Sequence, residues 1–438
     1  MANEPAGPLV YKFGGASVKD AAAILNLRHV VETTAQGRPL LVVVSAMGKT
    51  TNALEEVFGL AYAGENYESK VKSLKDFHWA AAAALSKEFG AGSAGSAGSA
   101  EDLYDDLEEH FAELDQRLVD TNPREDYDQQ YDQLVSFGEL LASRLVAFAL
   151  SGPRPAAWLD CRPLIRTDRT WREGRVNWPI TEAAITKAVP PLLAAGPIVT
   201  QGFLGGTARK ATTTLGREGS DYSAAIFAYC LRAESVTIWK DVAGLLNADP
   251  KLFKDTVRYP EISYQETIEM AYYGASVIHP KTLKPLADRQ IPLRVKSFLN
   301  PTAAGTLIHD CQHPPLAPAF IRKTGQCLVS LESKDFAFIS EENLEVIFGA
   351  LAQARLKINV MQNSALSFSV CLDGEPARLA QAVAALRAQF KVQYNEGLTL
   401  FTIKNYTPAS VAQLTEGRTV LLEQRTRSTF QVVVREQL

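Results

Sequence analysis

The chain has 438 residues, 46% of them apolar, and a formal net charge of -4. That size allows about three domains with cores of their own, and the mild acidity argues against a nucleic-acid or anionic-membrane partner. No leader-like opening and no bilayer-length apolar run is present, and five widely spaced cysteines lack a CxxC pair, so a cytoplasmic protein is expected.

Leu9–Phe13 reads as a short strand that delivers Lys12 to a glycine turn, Gly14-Gly15-Ala16-Ser17, ahead of an amphipathic helix to about Thr34. In a parallel sheet ligands bind at such a strand end, the alternative being a solvated lysine. Pro39–Val44 is a buried parallel-type strand carrying Ser45-Ala46-Met47-Gly48 and Thr51-Asn52 to the same edge. Gly48-Lys49-Thr50 imitates the tail of a P-loop, but Val43 stands where its first glycine belongs. Helical spacing then runs over 68–89, 101–119 and 131–150. The low-complexity stretch Gly90–Ala100 holds a formal GxGxxG at Gly90, Gly92 and Gly95, but no strand precedes it, so it is no dinucleotide fingerprint. Glu139 opens the most apolar part of its helix and is either a solvated cap or the partner of a cation in a site.

After a strand at Ala156–Leu159 and a helix from Thr181 to about Ala194, a further strand, Pro197–Phe203, leads into Gly205-Gly206 and the hydroxyl run Thr212–Thr214. Gly216 to Asp221 then opens a uniformly apolar helix, Tyr222–Leu231. Unpaired N–H groups and the positive end of the helix dipole, beside glycines, predict an anion site there, with Ser220 or Asp221 as N-cap. Val236–Trp239 is a strand ending in Lys240-Asp241, followed by a turn at Ala248–Lys251. Helices Tyr264–Tyr272 and Lys281–Arg289 and a strand Pro292–Val295 complete an α/β alternation expected to form a three-layer αβα sandwich with a mainly parallel sheet.

A proline-rich linker follows. His309, Cys311 and His313 fit no standard zinc spacing and prolines come next, so no metal is expected. Beyond it lie strands Cys327–Leu331 and Phe336–Ile339, helix Glu341–Arg355, strands Ile358–Met361 and Leu366–Leu372, helix Pro376–Gln389 and strand Val392–Tyr394. A second α+β unit starts at Leu398, with helix Ala409–Glu416 and strands Thr419–Gln424 and Thr429–Val434, and stops without a second helix.

The segments KFGGAS (12–17), VSAMGKTTN (44–52), SFGE (136–139), TTTLGREGSDYSAA (212–225), WKDVAGLLNADPK (239–251), YGASVIHPKT (273–282) and NPTAAGTLI (300–308) closely resemble aspartate kinases of the amino-acid-kinase fold, in the correct order. The C-terminal pattern resembles the paired, ferredoxin-like ACT domains of those enzymes, one βαββαβ unit inserted in the other, with Cys327–Leu331 returning to complete the second. The resemblance implies a catalytic domain at 1–310, a linker at 311–321 and a regulatory region at 322–438, its inserted unit at 335–395 and its second unit at 322–334 with 396–438. It also implies phosphorylation of the L-aspartate side-chain carboxylate by ATP with Mg2+, the entry step to lysine, threonine and methionine.

By resemblance, Lys12 bridges the phosphates and Asp221 orients it, while Gly14 and Gly15 admit backbone contacts. Arg217 holds a substrate carboxylate, Ser45 and Thr51 line the pocket, and Glu139 meets the substrate ammonium. The matching nucleotide positions are Lys240, Asp241, Leu246, Lys251, Ser276 and Val277. Asn359, Met361, Asn363, Ser364 and Ser367 match the effector loop, within a homodimer joined through its ACT units and regulated by lysine or threonine. Such chemistry needs no strong base, because a carboxylate nucleophile is already ionised near neutrality and alignment and charge neutralisation carry the reaction. Departures from the family pattern are Ala16 for Thr, Glu218 for Gly, Lys240 for Thr, Leu246 for an aromatic, Lys251 for Arg and Ser276 for Lys. They imply altered nucleotide contacts and weaker ATP binding. Uncharged Asn359, where lysine-inhibited relatives often carry an acid, speaks against lysine as effector. The alternatives are another carboxylate kinase of this fold, or a regulatory amino-acid-binding dimer with weak kinase activity.

Overall fold

The computed structural model describes residues 7–89, 99–151, 156–275, 278–312, 316–335 and 337–436; the GxGxxG stretch and His313 fall outside them. The described residues group into two compact units, one drawn from Met1–Leu245, Pro260–Ile268 and Ile278–Gln312, the other from Leu246–Tyr259, Glu269–Val277 and His313–Leu438. Two segments upstream of the expected linker thus join the second unit. Asn247 explains part of this, since its amide donates to Pro318 O and its carbonyl accepts from Phe320 N, while Phe253 stacks on Phe320 at 5.1 Å.

The chain begins with β1 (Leu9–Phe13), a 3-10 turn at Gly15–Val18, α1 (Ala21–Ala35) and β2 (Leu40–Val44). Asp20 caps α1 by accepting from Ala23 N at 2.8 Å, and every residue of β2 is buried, as a strand covered on both faces requires. A helical layer follows: α2 (Thr50–Ala63), α3 (Glu68–Phe89), α4 (Ala100–Val119), α5 (Tyr127–Val135) and α6 (Phe137–Ala149). The single helix expected over 131–150 is two. Ser136 closes α5 and opens α6, and its hydroxyl turns back to Gln133 O, so the amphipathic helix and the wholly apolar one each keep their own face.

Next come β3 (Ala157–Leu159), α7 (Trp178–Ala195), β4 (Ile198–Gln201), the hairpin β5 (Leu204–Gly206) and β6 (Thr212–Thr214), and α8 (Gly219–Leu231). Then follow β7 (Ser235–Lys240), β8 (Glu261–Ser263), α9 (Tyr264–Tyr272), α10 (Pro280–Asp288), β9 (Leu293–Ser297) and β10 (Thr306–His309). Eight of these strands form one sheet in the order β3-β4-β2-β1-β7-β9-β10-β8. It is parallel from β3 to β9, and β10 turns antiparallel to β9 while pairing in parallel with β8. The expected mainly parallel sandwich is therefore present. Among the described residues no helix is long and apolar enough to cross a membrane.

The second unit carries β11 (Ala319–Ser333), α11 (Glu341–Gln353), β12 (Ile358–Asn363), β13 (Ser367–Asp373), α12 (Pro376–Leu386), β14 (Phe390–Lys404), α13 (Pro408–Thr415), β15 (Thr419–Arg425) and β16 (Thr429–Arg435). Its six strands make one antiparallel sheet, β12-β13-β11-β14-β16-β15. Here the structure corrects the sequence reading. Cys327–Leu331 pairs with β13 and with the first half of β14, so it begins the first ferredoxin-like half. The strand that completes the other half is Ala319–Lys323, paired with Leu400–Lys404. Residues 337–339 lie outside any strand, so the strand expected at Phe336–Ile339 is absent there. The two halves of β11 meet at a bulge containing Gly325 with φ +66°, which lets one strand serve both.

Candidate active site

Parallel β1, β2, β4 and β7 all end at one edge of the larger sheet, where doubly wound folds bind ligands. A cavity of about 650 Å³ opens there. Lys12, Gly15, Ser45, Thr51, Glu139, Arg217, Asp221 and Lys240 line it, so residues from position 12 to position 240 share one cleft. Gly14 and Asp241 are not on its wall. Leu246 and Lys251 belong to the second unit, and Ser276 and Val277 lie outside the described residues.

The Lys12 ammonium sits 2.7 Å from Asp221 Oδ1, both side chains nearly buried. A Cβ at Gly14 would stand 3.4 Å from Lys12 Nζ, an ordinary contact, so packing against the ammonium does not require glycine there. Gly15, on the cavity wall, also has a packing task. Its Cβ would meet Gly48 O at 2.8 Å and Ala46 O at 3.0 Å, so its bareness lets the loops after β1 and β2 close on each other. Gly138 likewise lets α6 approach Ala46, whose Cβ would lie 2.8 Å from a side chain at 138. That approach brings Glu139 Oε1 to Ala46 N at 3.1 Å. Its Oε2 is buried without a partner among the described residues, which rules out the solvated-cap alternative. Burial pushes the Glu139 carboxyl up to about 8, against the Ala46 N–H and the Lys12 charge, which favour ionisation.

At the helix side of the cleft, α8 starts earlier than expected. Glu218, not Ser220 or Asp221, is the N-cap, held at φ +54°, and Ser220 and Asp221 lie in the first turn. The left-handed backbone explains why a glycine suits this position. The Glu218 carboxylate turns aside, Oε2 accepting from His279 N at 2.9 Å, so it is committed to α10. Gly205 and Gly206 serve packing: Cβ atoms there would meet Ile165 O at 3.0 Å and Arg162 O at 2.4 Å. Arg217 stands exposed at the rim with no ion-pair partner among the described residues.

Sequence reasoning missed most of one wall, where Glu55, Tyr131, Arg172, Glu173 and Phe203 stand beside Thr214 of the hydroxyl run. The Tyr131 hydroxyl donates to Glu55, and the Arg172 guanidinium lies 4.1 Å from the Tyr131 ring centre. Beneath them Asp132 is fully buried and accepts from Arg172 N (2.9 Å), Thr214 N (3.0 Å) and Thr214 Oγ1 (2.7 Å). Burial raises its carboxyl to about 6 in spite of those donors. Asp132→Ala should cost about 2–4 kcal/mol, because three donors lose their acceptor at once. Urea denaturation checks this, and an unchanged midpoint would deny Asp132 that joining role. Lys49 is exposed at the start of α2 and off the cavity wall, so Lys49→Ala should change turnover less than about twofold. A larger loss in an ADP-release assay would revive the P-loop reading.

In the second unit, Asn359 belongs to a closed polar cluster. Its Nδ2 donates to Gln326 Oε1 (2.7 Å) and Asp373 Oδ1 (2.8 Å), and Lys323 Nζ reaches both Asn359 Oδ1 (2.8 Å) and Asp373 Oδ1 (3.0 Å). Burial would raise the Asp373 carboxyl, but these donors and the Lys323 charge hold it below the usual carboxylate range. Met361 and Asn363 are exposed on the edge strand β12, and Ser364 and Ser367 bond to each other across the following turn.

The model of the amino acid kinase family matches residues 7–297. The chain belongs to the amino acid kinase family. Among its relatives is the lysine-sensitive aspartokinase 3 of Escherichia coli, 33% identical over 406 residues that cover 90% of this chain and 86% of that enzyme. A bifunctional aspartokinase/homoserine dehydrogenase of Zea mays is 29% identical, and this chain spans 42% of its length. Crystal structures of E. coli aspartokinase III superpose over 98% of this chain and 96% of theirs. The complex with aspartate and ADP gives a TM-score of 0.80 at 29% identity, and the complex with lysine and aspartate gives 0.77 at 28%.

Proposed function

We propose that the protein is an aspartate kinase, transferring the γ-phosphoryl group of Mg-ATP to the side-chain carboxylate of L-aspartate to give ADP and 4-phospho-L-aspartate. The observation that carries this reading is the convergence, in one cleft, of the Lys12–Asp221 pair, the unpartnered Glu139 oxygen and the rim guanidinium of Arg217. Of a substrate's one ammonium and two carboxylates, the ammonium finds Glu139 and one carboxylate finds Arg217, which leaves the other carboxylate as the nucleophile. Ser45 and Thr51 supply hydroxyls to the same cavity.

In the reaction a carboxylate oxygen attacks the γ-phosphorus, the bond from phosphorus to the ADP oxygen breaks, and the electron pair leaves with ADP. No proton moves, so no base is needed. Lys12, oriented by Asp221, neutralises charge on the transferring group, and the N-terminus of α8 adds its dipole. Beside Lys12, Asp221 is the carboxylate already engaged, so Mg2+ would be held chiefly by the nucleotide's own phosphates, as that ion commonly is.

We assign catalysis to residues 1–310, less the segments 246–259 and 269–277 that group with the second unit, and regulation by lysine or threonine to the ACT-like region, expected from 322 but starting with β11 at Ala319, in a cytoplasmic homodimer feeding lysine, threonine and methionine synthesis. Supporting the dimer are the open edge of β12 and the exposed Phe338, Met361 and Leu366 in the same half of the second unit. The Lys323–Asp373 pair already occupies the carboxylate beside Asn359, so an effector ammonium would have to compete with it. The test is ADP release with aspartate, with glutamate, and with bicarbonate plus ammonia, followed by titration of lysine and threonine. Turnover confined to aspartate is expected. Turnover with another acceptor, or saturable lysine binding without any turnover, would overturn the reading.

A further inference from the structure

The fold brings a third ligand to the motif whose spacing excluded a zinc site. β8 and β10 lie side by side at the edge of the eight-stranded sheet, Glu261 pairing with Leu307 and Ser263 with His309. Parallel pairing puts Glu261, Leu307 and His309 on one face, away from buried Ile308. Cys311 follows two residues on. One ligand atom from each of Glu261, His309 and Cys311 lies within 4.8 Å of the other two.

We propose that Glu261, His309 and Cys311 bind one Zn2+ ion at this sheet edge, with a water in the fourth position. A thiolate, an imidazole and a carboxylate are the donors zinc prefers, and bond lengths of about 2.0–2.3 Å set its ligand atoms about 3.3–3.8 Å apart, within reach by side-chain rotation. Calcium and magnesium, which take oxygen ligands, do not suit this set. His309 Nε2 already contacts Glu261, so metal binding exchanges a hydrogen bond for two coordinate bonds. Cys161, Cys230, Cys327 and Cys371 are buried, which leaves Cys311 as the thiol within reach of an ion from solvent. Glu261 stands 48 residues before His309, so spacing within 309–313 could not disclose it. The ion would tie the short terminal strand β8 to β10.

The test uses the full chain stripped with a chelator and then titrated with Co2+ or Zn2+. One equivalent of Co2+ should give a thiolate-to-cobalt charge-transfer band in the near ultraviolet, absent in Cys311→Ser. A chromogenic disulfide should modify one thiol rapidly, and Zn2+ should protect it. His309→Ala and Glu261→Gln should retain the fast thiol and weaken protection at least about tenfold. All three variants should keep wild-type aspartate-dependent turnover, since none lines the cleft. Absence of the thiolate band, or protection undiminished in both His309→Ala and Glu261→Gln, would overturn the site.

Discussion

Replacing Lys12 with alanine should lower kcat for ADP formation by about a thousandfold or more and should also lower the unfolding midpoint. The first effect follows from removing the cation that faces charge developing on the transferring phosphoryl group in the cleft. The second follows from the partner. Asp221 has a side chain only 4% exposed, and without Lys12 its carboxylate is buried beside no counter-charge or must take up a proton. A strand-end lysine read from sequence alone would be expected to leave folding intact; the ion pair changes that expectation to a loss of about 3–5 kcal/mol. The double variant Lys12→Ala with Asp221→Asn separates the effects, since it should recover most of the stability and none of the turnover. A Lys12→Ala enzyme within tenfold of wild-type kcat would remove Lys12 from the chemistry. A double variant as unstable as the single one would remove the pair from the stability argument.

What the sequence made legible is what short-range pattern can encode. Lys12 near the end of a short apolar strand, the unbroken apolar run of β2 and the almost wholly apolar α8 each follow from local pattern and composition, and they place the cleft at one sheet edge. Glu139 was only half legible: its place at the head of an apolar helix left a solvated cap and a site partner both open, and the family resemblance alone pointed to the second. The Asp132, Tyr131 and Arg172 wall was not, because Arg172 lies in a stretch without helix or strand and Asp132 looks like any exposed acid of an amphipathic helix until Thr214 arrives from β6. The strands β8 and β10 have three and four residues, too few for alternation to show. In β11 the signal was present but divided: a bulge at Gly325 joins two stretches that serve different halves, and only long-range pairing reveals which half owns Cys327–Leu331.

Glu139→Gln should impair the enzyme and stabilise it in one substitution. The substrate ammonium needs the ionised carboxylate, yet burial holds this carboxyl up to about 8 in the ligand-free cleft. Between the ordinary value of 4.5 and about 8 the folded protein therefore binds a proton that the unfolded chain does not. Stability contributed by that proton is full below 4.5 and is lost as pH rises through about 8, so at pH 8 and above the wild type carries a penalty on the order of a few kcal/mol. Glutamine keeps the acceptor for Ala46 N and has no charge to desolvate, so the variant should unfold at a higher temperature than wild type at pH 8 and show no such difference near pH 4.5. Turnover runs the other way. For wild type, kcat/KM for aspartate should climb with pH towards a plateau set by a group near 8, because binding below that value must first expel the proton. In Glu139→Gln that rising limb should vanish and KM for aspartate should increase at least about a hundredfold, with KM for ATP nearly unchanged, since the lost charge faces the amino acid and not the nucleotide. Thermal unfolding at two pH values and a kcat/KM profile decide it together. An unaltered KM for aspartate would take the ammonium away from Glu139, and a variant less stable than wild type at pH 8 would mean that the buried carboxylate is matched by a counter-charge strong enough to outweigh its desolvation.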